Sequence, residues 1–171
     1  VFVHSIYDEF KNSDFRPVLF EVPIIKGQDN GISPFRAELS DGSGVYIYGQ
    51  IDRVDTYEKD GCVYFRVVDY KTGKVTDNDF MITEDNAEQV VDALFGPKDK
   101  DRPNIALQLY LYDKIISAVP GLSGKSIINS IYQPTRLFVR PVENVRLNAK
   151  FVSLMDERLE KTLAEHSDTE T

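Results

Sequence analysis

The sequence predicts an α/β fold of the mixed α+β kind, in which a mixed central β-sheet is flanked by helices. Two observations support this. One group of β-rich segments precedes a long helical segment and a second group follows it, with a further helix near each end. The regular strand–helix alternation of a doubly wound sheet does not occur. Because 171 residues with 42% hydrophobic content can bury one core, we expect a single domain over residues 1–171.

The first half of the chain is expected to contain a helix followed by three β segments. Apolar residues at helical spacing predict a helix that ends near residue 12. An edge strand is predicted for "FRPVLFEVPII", because Pro17 and Pro23 cannot donate ladder hydrogen bonds. Two further strands are predicted for "VYIYGQIDRVDTYE" and "CVYFRVVDYK", joined by the hairpin signal "KDG". The last of these strands is expected to be buried on both faces near its end, where it carries Val63, Phe65, Val67 and Val68.

The second half is expected to begin and end with helices. A short helix that stops near Gly96 is predicted for "DNAEQVVDALFG", and a longer one for "NIALQLYLYDKIISAV", where apolar residues recur at helical spacing. Two late strands are predicted for "GKSIINSIYQP" and "TRLFVRPV". A closing amphipathic helix is predicted for "NAKFVSLMDERLEKTLAEH".

The charge and cysteine content exclude some classes of site. A formal net charge of −8 argues against a surface that coats nucleic acid by bulk attraction. It leaves open a local basic path, and Arg136, Arg140 and Arg146 are as consistent with such a path as with a solvated face. Cys62 is the one cysteine and there are two histidines, which excludes an internal disulfide and a Cys/His zinc cage.

The sequence also supports expectations about where the protein is located and how much of it this chain represents. We expect a reducing, cytoplasmic location, with neither a signal peptide nor a membrane-spanning segment. The sequence begins at Val1 rather than at a methionine, so we expect it to be a C-terminal fragment of a longer protein.

Two carboxylates and a lysine interrupt the β pattern at neighbouring strand positions. If "KDG" forms the hairpin turn, Asp52 and Asp69 lie nearly opposite each other, roughly 5 Å apart. Lys71 is two residues beyond Asp69 and points to the same face. Such oxygen-rich groups suit Mg²⁺ or Mn²⁺, which can activate water and stabilise charge on a phosphoryl oxygen. The pattern therefore predicts phosphodiester hydrolysis; the alternative is a pair of turn acids with a surface salt bridge to Lys71.

These residues occur within a longer motif series. "GQIDRVD", "VVDYKTGK" and "QLYLY", in this order and spacing, resemble the PD-(D/E)xK nuclease superfamily, specifically its RecB/AddB-type exonuclease branch. The resemblance extends from "FEVPI" to the second long helix and implies a restriction-endonuclease-like core. It also implies a divalent-metal-dependent DNA nuclease that works with helicase-like or recombination machinery.

The resemblance assigns roles to individual residues. Asp52 and Asp69 would be metal ligands together with the main-chain carbonyl of Tyr70, and Lys71 would be the catalytic lysine. The "QxxxY" motif corresponds to Gln108 and Tyr112, which lie one helical turn apart and would reach towards the site and the DNA backbone. Glu21, in "LFEVPI", resembles the acidic strand residue that often precedes the first motif, and is a further candidate metal ligand.

Neighbouring residues and departures from the family pattern carry further expectations. Arg53 and Asp55 are expected to form an ion pair that shapes the site, with a direct DNA contact as the alternative. Family members usually carry a metal-binding histidine on an early helix; His4 lies very close to the "FEVPI" strand, so a counterpart upstream of Val1 is the alternative. Cys62 alone cannot hold the iron–sulfur cluster of some members, so no cluster is expected in this span.

Three functions therefore follow from the sequence. The first is a Mg²⁺- or Mn²⁺-dependent deoxyribonuclease, expected to be an exonuclease in DNA repair or recombination. The second is a catalytically weak or inactive module that keeps the fold for DNA binding or scaffolding. The third is a metal-binding domain that is not a nuclease. The presence of both acids and the lysine favours the first, with DNA and helicase-like domains or subunits as the expected partners.

Overall fold

The strands of the computed structural model form one large sheet and one small one. The description covers residues 7, 11, 14–25, 32–39, 41–97, 102–119, 126–134 and 143–167. Within these residues the strands are β1 (Arg16–Ile24), β2 (Phe35–Glu38), β3 (Gly44–Ile47), β4 (Gly49–Lys59), β5 (Cys62–Tyr70), β6 (Ile127–Tyr132) and β7 (Glu143–Val145). The large sheet has the order β1-β4-β5-β6-β7, and β2 pairs with β3 in the small sheet.

The large sheet is mixed, as predicted. β4 is antiparallel to both of its neighbours, β1 and β5, and β7 is antiparallel to β6. β5 and β6 are parallel, with Asp69 paired to Ile131 and Tyr70 to Tyr132. A parallel pair requires a long crossover connection, and the helices that follow β5 provide it. The expected mixed central sheet is thereby confirmed.

Three α-helices and one short 3₁₀ helix complete the described structure. They are the 3₁₀ helix (Asp77–Asp79), α1 (Ala87–Phe95), α2 (Asn104–Ser117) and α3 (Ala149–Ser167). The start of α3 is capped by Asn148, whose Oδ1 accepts hydrogen bonds from the amides of Lys150 and Phe151. None of the described helices is both long enough and apolar enough to span a membrane.

Helix α2 lies between two hydrophobic clusters and is fixed by both. One side of it, with Leu109 and Ile116, packs on sheet residues such as Val67. Its other side, with Ala106 and Tyr110, packs against residues of α1 and α3. The two clusters leave little freedom to rotate α2 about its axis, so the residues that it presents to the sheet keep a fixed position.

Most of the predicted elements within the described residues agree with the structure, but β2 and β7 were not predicted and one predicted strand is divided. The segment "VYIYGQIDRVDTYE" was expected as one strand, but it divides at Tyr48 into β3 and β4. β3 pairs with β2, whereas β4 pairs with β1. An uninterrupted β pattern does not reveal this change of partner, because it is made by tertiary pairing. The expected first helix, apart from positions 7 and 11, and the expected strand "TRLFVRPV" lie outside the described residues.

Candidate active site

The β4–β5 hairpin brings the two predicted carboxylates together. Arg53 pairs with Val68, so the next position along the ladder places Asp52 opposite Asp69. The turn consists of Asp60 (φ 52°) and Gly61 (φ 74°), the two positive φ angles of a type I′ turn. This turn fixes the register; a slip of one residue would move Asp69 to the other face of the sheet.

The carboxylates have different surroundings. Asp69 is 2% exposed, and Lys71 Nζ lies 2.7 Å from its Oδ2. Asp52 is partly exposed, and its Oδ2 accepts a hydrogen bond of 2.8 Å from the amide of Tyr70. The buried acid is thus paired with a cation, whereas the more exposed acid is held by the main chain.

Helix α2 adds the two predicted side chains of the "QxxxY" motif. Gln108 Oε1 accepts a hydrogen bond of 2.5 Å from Lys71 Nζ, and its Nε2 donates to Asp69 Oδ1 at 2.7 Å and to the Tyr112 hydroxyl. The Tyr112 hydroxyl lies 3.2 Å from both Asp69 Oδ1 and the carbonyl of Gln50. α2 is therefore linked to β4 and β5 through the polar groups of the site.

Tyr112 is a neutral donor in this network. Burial raises the pKa of the Tyr112 hydroxyl well above its usual value, and the neighbouring Asp69 carboxylate raises it further. Both effects disfavour a phenolate beside the acids. Tyr112 is therefore suited to orienting Asp69 and not to accepting a proton.

The Tyr70 carbonyl is directed towards the same carboxylates. The amide of Lys71 donates to the carbonyl of Tyr132 in β6 at 2.8 Å. Tyr70 and Lys71 share a trans peptide bond, so the Tyr70 carbonyl points away from β6 and towards β4. Two carboxylates and a main-chain carbonyl on one side of a strand end are the oxygen donors that a hard divalent cation prefers. The donor set therefore fits Mg²⁺ or Mn²⁺.

Glu21 lies near this donor set without joining it. It falls between the pairs Phe20–Arg53 and Val22–Ile51, which aligns it with Asp52. Its side chain is exposed and accepts a hydrogen bond from Gln50 Nε2, and its φ angle is 47°. Within the described part of the chain, no three His, Cys, Asp or Glu side chains are grouped closely enough to hold a metal ion. A metal-binding role for Glu21 stays a prediction.

The expected ion pair of Arg53 and Asp55 is present on the opposite face of the sheet. Arg53 Nε lies 2.9 Å from Asp55 Oδ1, and the pair is buried. Sequence reasoning missed Arg66, whose Nη2 lies 2.6 Å from Asp55 Oδ2. A charged residue between Phe65 and Val67 in a strand expected to be buried was the signal that could have revealed it.

Other candidates lie elsewhere. His4, Arg136 and Arg140 fall outside the described residues. Arg146 is exposed and donates a hydrogen bond of 2.7 Å to Ser126 Oγ. Cys62 is exposed at the start of β5.

A buried acid beside the site affects stability. Burial raises the pKa of Asp113 to about 6, although a hydrogen bond from Asn129 and the charge of Lys114 act in the opposite direction. A raised acid pKa means that the folded chain binds the proton more tightly than the unfolded chain. Stability from this group is therefore present in acid and is lost as the pH rises from about 4 to above 6.

We expect Asp113→Asn to stabilise the fold more at pH 8 than at pH 4, by about 2 kcal/mol. The introduced amide can still accept the hydrogen bond from Asn129 Nδ2. It can also donate to Asn129 Oδ1, which is buried and has no hydrogen-bond partner within the described structure. Urea unfolding at both pH values measures the difference. Asp85→Asn, at an exposed turn position, should show no such dependence; an equal effect in both variants would contradict the assignment.

Comparisons with known proteins agree with this geometry. Residues 2–168 match the family model of the PD-(D/E)XK nuclease superfamily. Similar proteins include three that are named as a subunit of an ATP-dependent helicase/deoxyribonuclease. The protein of Clostridium novyi is 31% identical over 77% of this chain, that of Caldanaerobacter subterraneus is 33% identical over 76%, and that of Acetivibrio thermocellus is 28% identical over 92%.

The matched regions are small parts of those relatives. The alignments cover 12%, 10% and 14% of their respective lengths. The family match, in contrast, extends over nearly the whole of this chain and includes the two acids, the lysine and the "QxxxY" helix. By sequence and by the arrangement of these residues, the chain belongs to the PD-(D/E)XK nuclease superfamily.

Proposed function

We propose that this chain hydrolyses phosphodiester bonds in DNA with the help of Mg²⁺ or Mn²⁺, as an exonuclease in DNA repair or recombination. One observation carries the proposal: the Asp52 and Asp69 carboxylates, the Tyr70 carbonyl and the Lys71 ammonium converge at one end of β5. A site of two acids and a lysine, in a member of a nuclease superfamily, is suited to this chemistry.

The cation would be held by Asp52, Asp69 and the Tyr70 carbonyl. When bound, a divalent cation supplies an activated water and stabilises negative charge on the phosphoryl group. The protein contributes a fixed arrangement of ligands: the Tyr70 amide orients Asp52, and Gln108 and Tyr112 orient Asp69. Orientation of the ligands by their neighbours limits the reorganisation that binding would require.

Lys71 would have one role before a cation binds and another role afterwards. Without a cation its ammonium neutralises Asp69, which is almost fully buried. A cation that shared the charge of Asp69 would leave the ammonium available to position water or to stabilise the scissile phosphate in the transition state. Gln108 Oε1 accepts a hydrogen bond from Lys71 Nζ and would keep the lysine beside the site before and after a cation binds.

The expected partners are DNA and helicase-like domains or subunits. The relatives are named as subunits of ATP-dependent helicase/deoxyribonucleases, which supports a combined role with a helicase. The net charge of −8 also favours such a role, because strong DNA binding needs positive charge that a partner can provide.

The test is degradation of end-labelled linear DNA and of the same DNA as a closed circle, with EDTA, Mg²⁺ or Mn²⁺. Cation-dependent loss of the linear form alone would support an exonuclease. Cleavage of the circle would replace this assignment by an endonuclease. DNA binding without cleavage under either cation would favour the second function, an inactive DNA-binding or scaffolding module.

A further inference from the structure

Tyr70 connects the two faces of the sheet. Its amide donates to Asp52 Oδ2 at 2.8 Å on the face that carries the carboxylates. Its side chain points to the opposite face, because side chains alternate along a strand. There the Tyr70 hydroxyl accepts a hydrogen bond of 2.9 Å from Arg53 Nη1. Asp52 and Arg53, which are neighbours in the chain, thus contact the main chain and the side chain of the same residue.

Arg53 is itself held in a buried charge cluster. Its Nε and Nη2 lie 2.9 Å and 3.1 Å from the two oxygens of Asp55, and Arg66 Nε donates to the same carboxylate at 2.8 Å. None of the three residues is more than 4% exposed. Buried charges are tolerated only with close, well-directed partners, so this cluster holds the Arg53 guanidinium in one orientation.

The main chain of Tyr70 is paired with Tyr132 of β6 on one side, whereas on its β4 side the ladder has already ended. The paired positions of β4 and β5 end at Arg53 and Val68, two residues before Tyr70. The ring of Tyr70 lies 5.8 Å from the Arg53 guanidinium and packs edge-on against Tyr132, with ring centres 5.6 Å apart. On the β4 side, the strand end is therefore held by the contacts of Tyr70 with Arg53 and Asp52.

We propose that Arg53 is a positioning residue for the metal site and acts through the hydroxyl of Tyr70. By fixing the Tyr70 side chain it fixes the amide that orients Asp52 and the carbonyl that faces β4. The inference rests on the proposed function, since it takes Asp52, Asp69 and this carbonyl as cation ligands.

The test compares Tyr70→Phe with Tyr64→Phe. The first removes the hydroxyl that Arg53 contacts and keeps the ring. The second removes a hydroxyl from the same strand and the same face, where Tyr64 packs on Tyr57. The Kd for Mn²⁺ is measured from the electron paramagnetic resonance signal of the free ion, and urea unfolding without metal checks that both variants fold.

We expect Tyr70→Phe to raise the Mn²⁺ Kd by about tenfold, and Tyr64→Phe to leave it unchanged. In cleavage assays, Tyr70→Phe should raise the half-saturating Mg²⁺ concentration by a similar factor. A merely structural role of the hydroxyl would lower the free energy of unfolding and leave the Mn²⁺ Kd unchanged.

An unchanged Mn²⁺ Kd in folded Tyr70→Phe would overturn the inference, as would equal weakening in Tyr64→Phe. These results are separate from a failure of the proposed function. If the original chain binds Mn²⁺ but does not cleave DNA, the proposed function fails and the comparison of Kd values still decides the role of Arg53. If the original chain binds no Mn²⁺, both fail.

Discussion

Lys71→Met is expected to lower the rate of Mg²⁺-dependent DNA cleavage by about 10³-fold. The substitution removes the ammonium that contacts Asp69 and Gln108 and keeps most of the aliphatic side chain. Gln108 and Tyr112 can still donate to Asp69, so the site keeps its shape. The rate is measured on end-labelled linear DNA at saturating Mg²⁺.

The stability of Lys71→Met should also depend on whether the cation is present. Asp69 loses its paired ammonium, which we expect to cost about 1–2 kcal/mol of unfolding free energy in metal-free buffer. Added Mg²⁺ should recover much of this loss, because the cation and the ammonium both neutralise the same acid. Lys74→Met, in the exposed loop three residues later, is the control and should change neither property. Cleavage within tenfold of the original rate would remove Lys71 from the chemistry.

Asp52→Asn is expected to have an effect of similar size by a different route. An asparagine oxygen can still accept the hydrogen bond from the Tyr70 amide, so the free energy of unfolding should change by less than about 1 kcal/mol. The substitution also removes the negative charge of a carboxylate that we propose as a cation ligand. We expect the Mn²⁺ Kd to rise by at least about tenfold and cleavage at a fixed Mg²⁺ concentration to fall by about 10³-fold.

Two measurements distinguish this effect from unfolding. Mn²⁺ titration gives the Kd directly, and cleavage across a range of Mg²⁺ concentrations shows whether additional cation restores part of the rate. Asp85→Asn removes the same charge from an exposed turn and should leave both unchanged. A normal Mn²⁺ Kd in Asp52→Asn would mean that this carboxylate does not bind the cation.

The two strands of the site could be predicted because their signals are local. Asp60 and Gly61 specify a tight turn, and the turn specifies the register that places Asp52 opposite Asp69. The division of β3 from β4 at Tyr48 could not be predicted in the same way. Each strand has a suitable pattern, and the choice of partner depends on how β1 and β2 pack in three dimensions.

The same distinction between local signals and tertiary packing applies to the candidate site. The sequence predicted the two acids and the lysine from the spacing of residues along strands, and the "QxxxY" pair from the family resemblance. It could not show that Gln108 bridges Lys71 and Asp69, because the position of α2 over the sheet is set by hydrophobic packing on both of its sides. The sequence also could not predict the contact between Arg53 and Tyr70.

The sequence by itself predicted most of the described strands and helices, the pairing of the central hairpin and the chain's place in a nuclease superfamily. Only the tertiary structure decided which groups hold the acids in place and that a buried cluster on the back of the sheet reaches Tyr70. The physical reason is the separation along the chain over which each kind of interaction acts. Turn geometry and side-chain alternation act over a few residues, whereas burial and long-range hydrogen bonds depend on the whole packed chain.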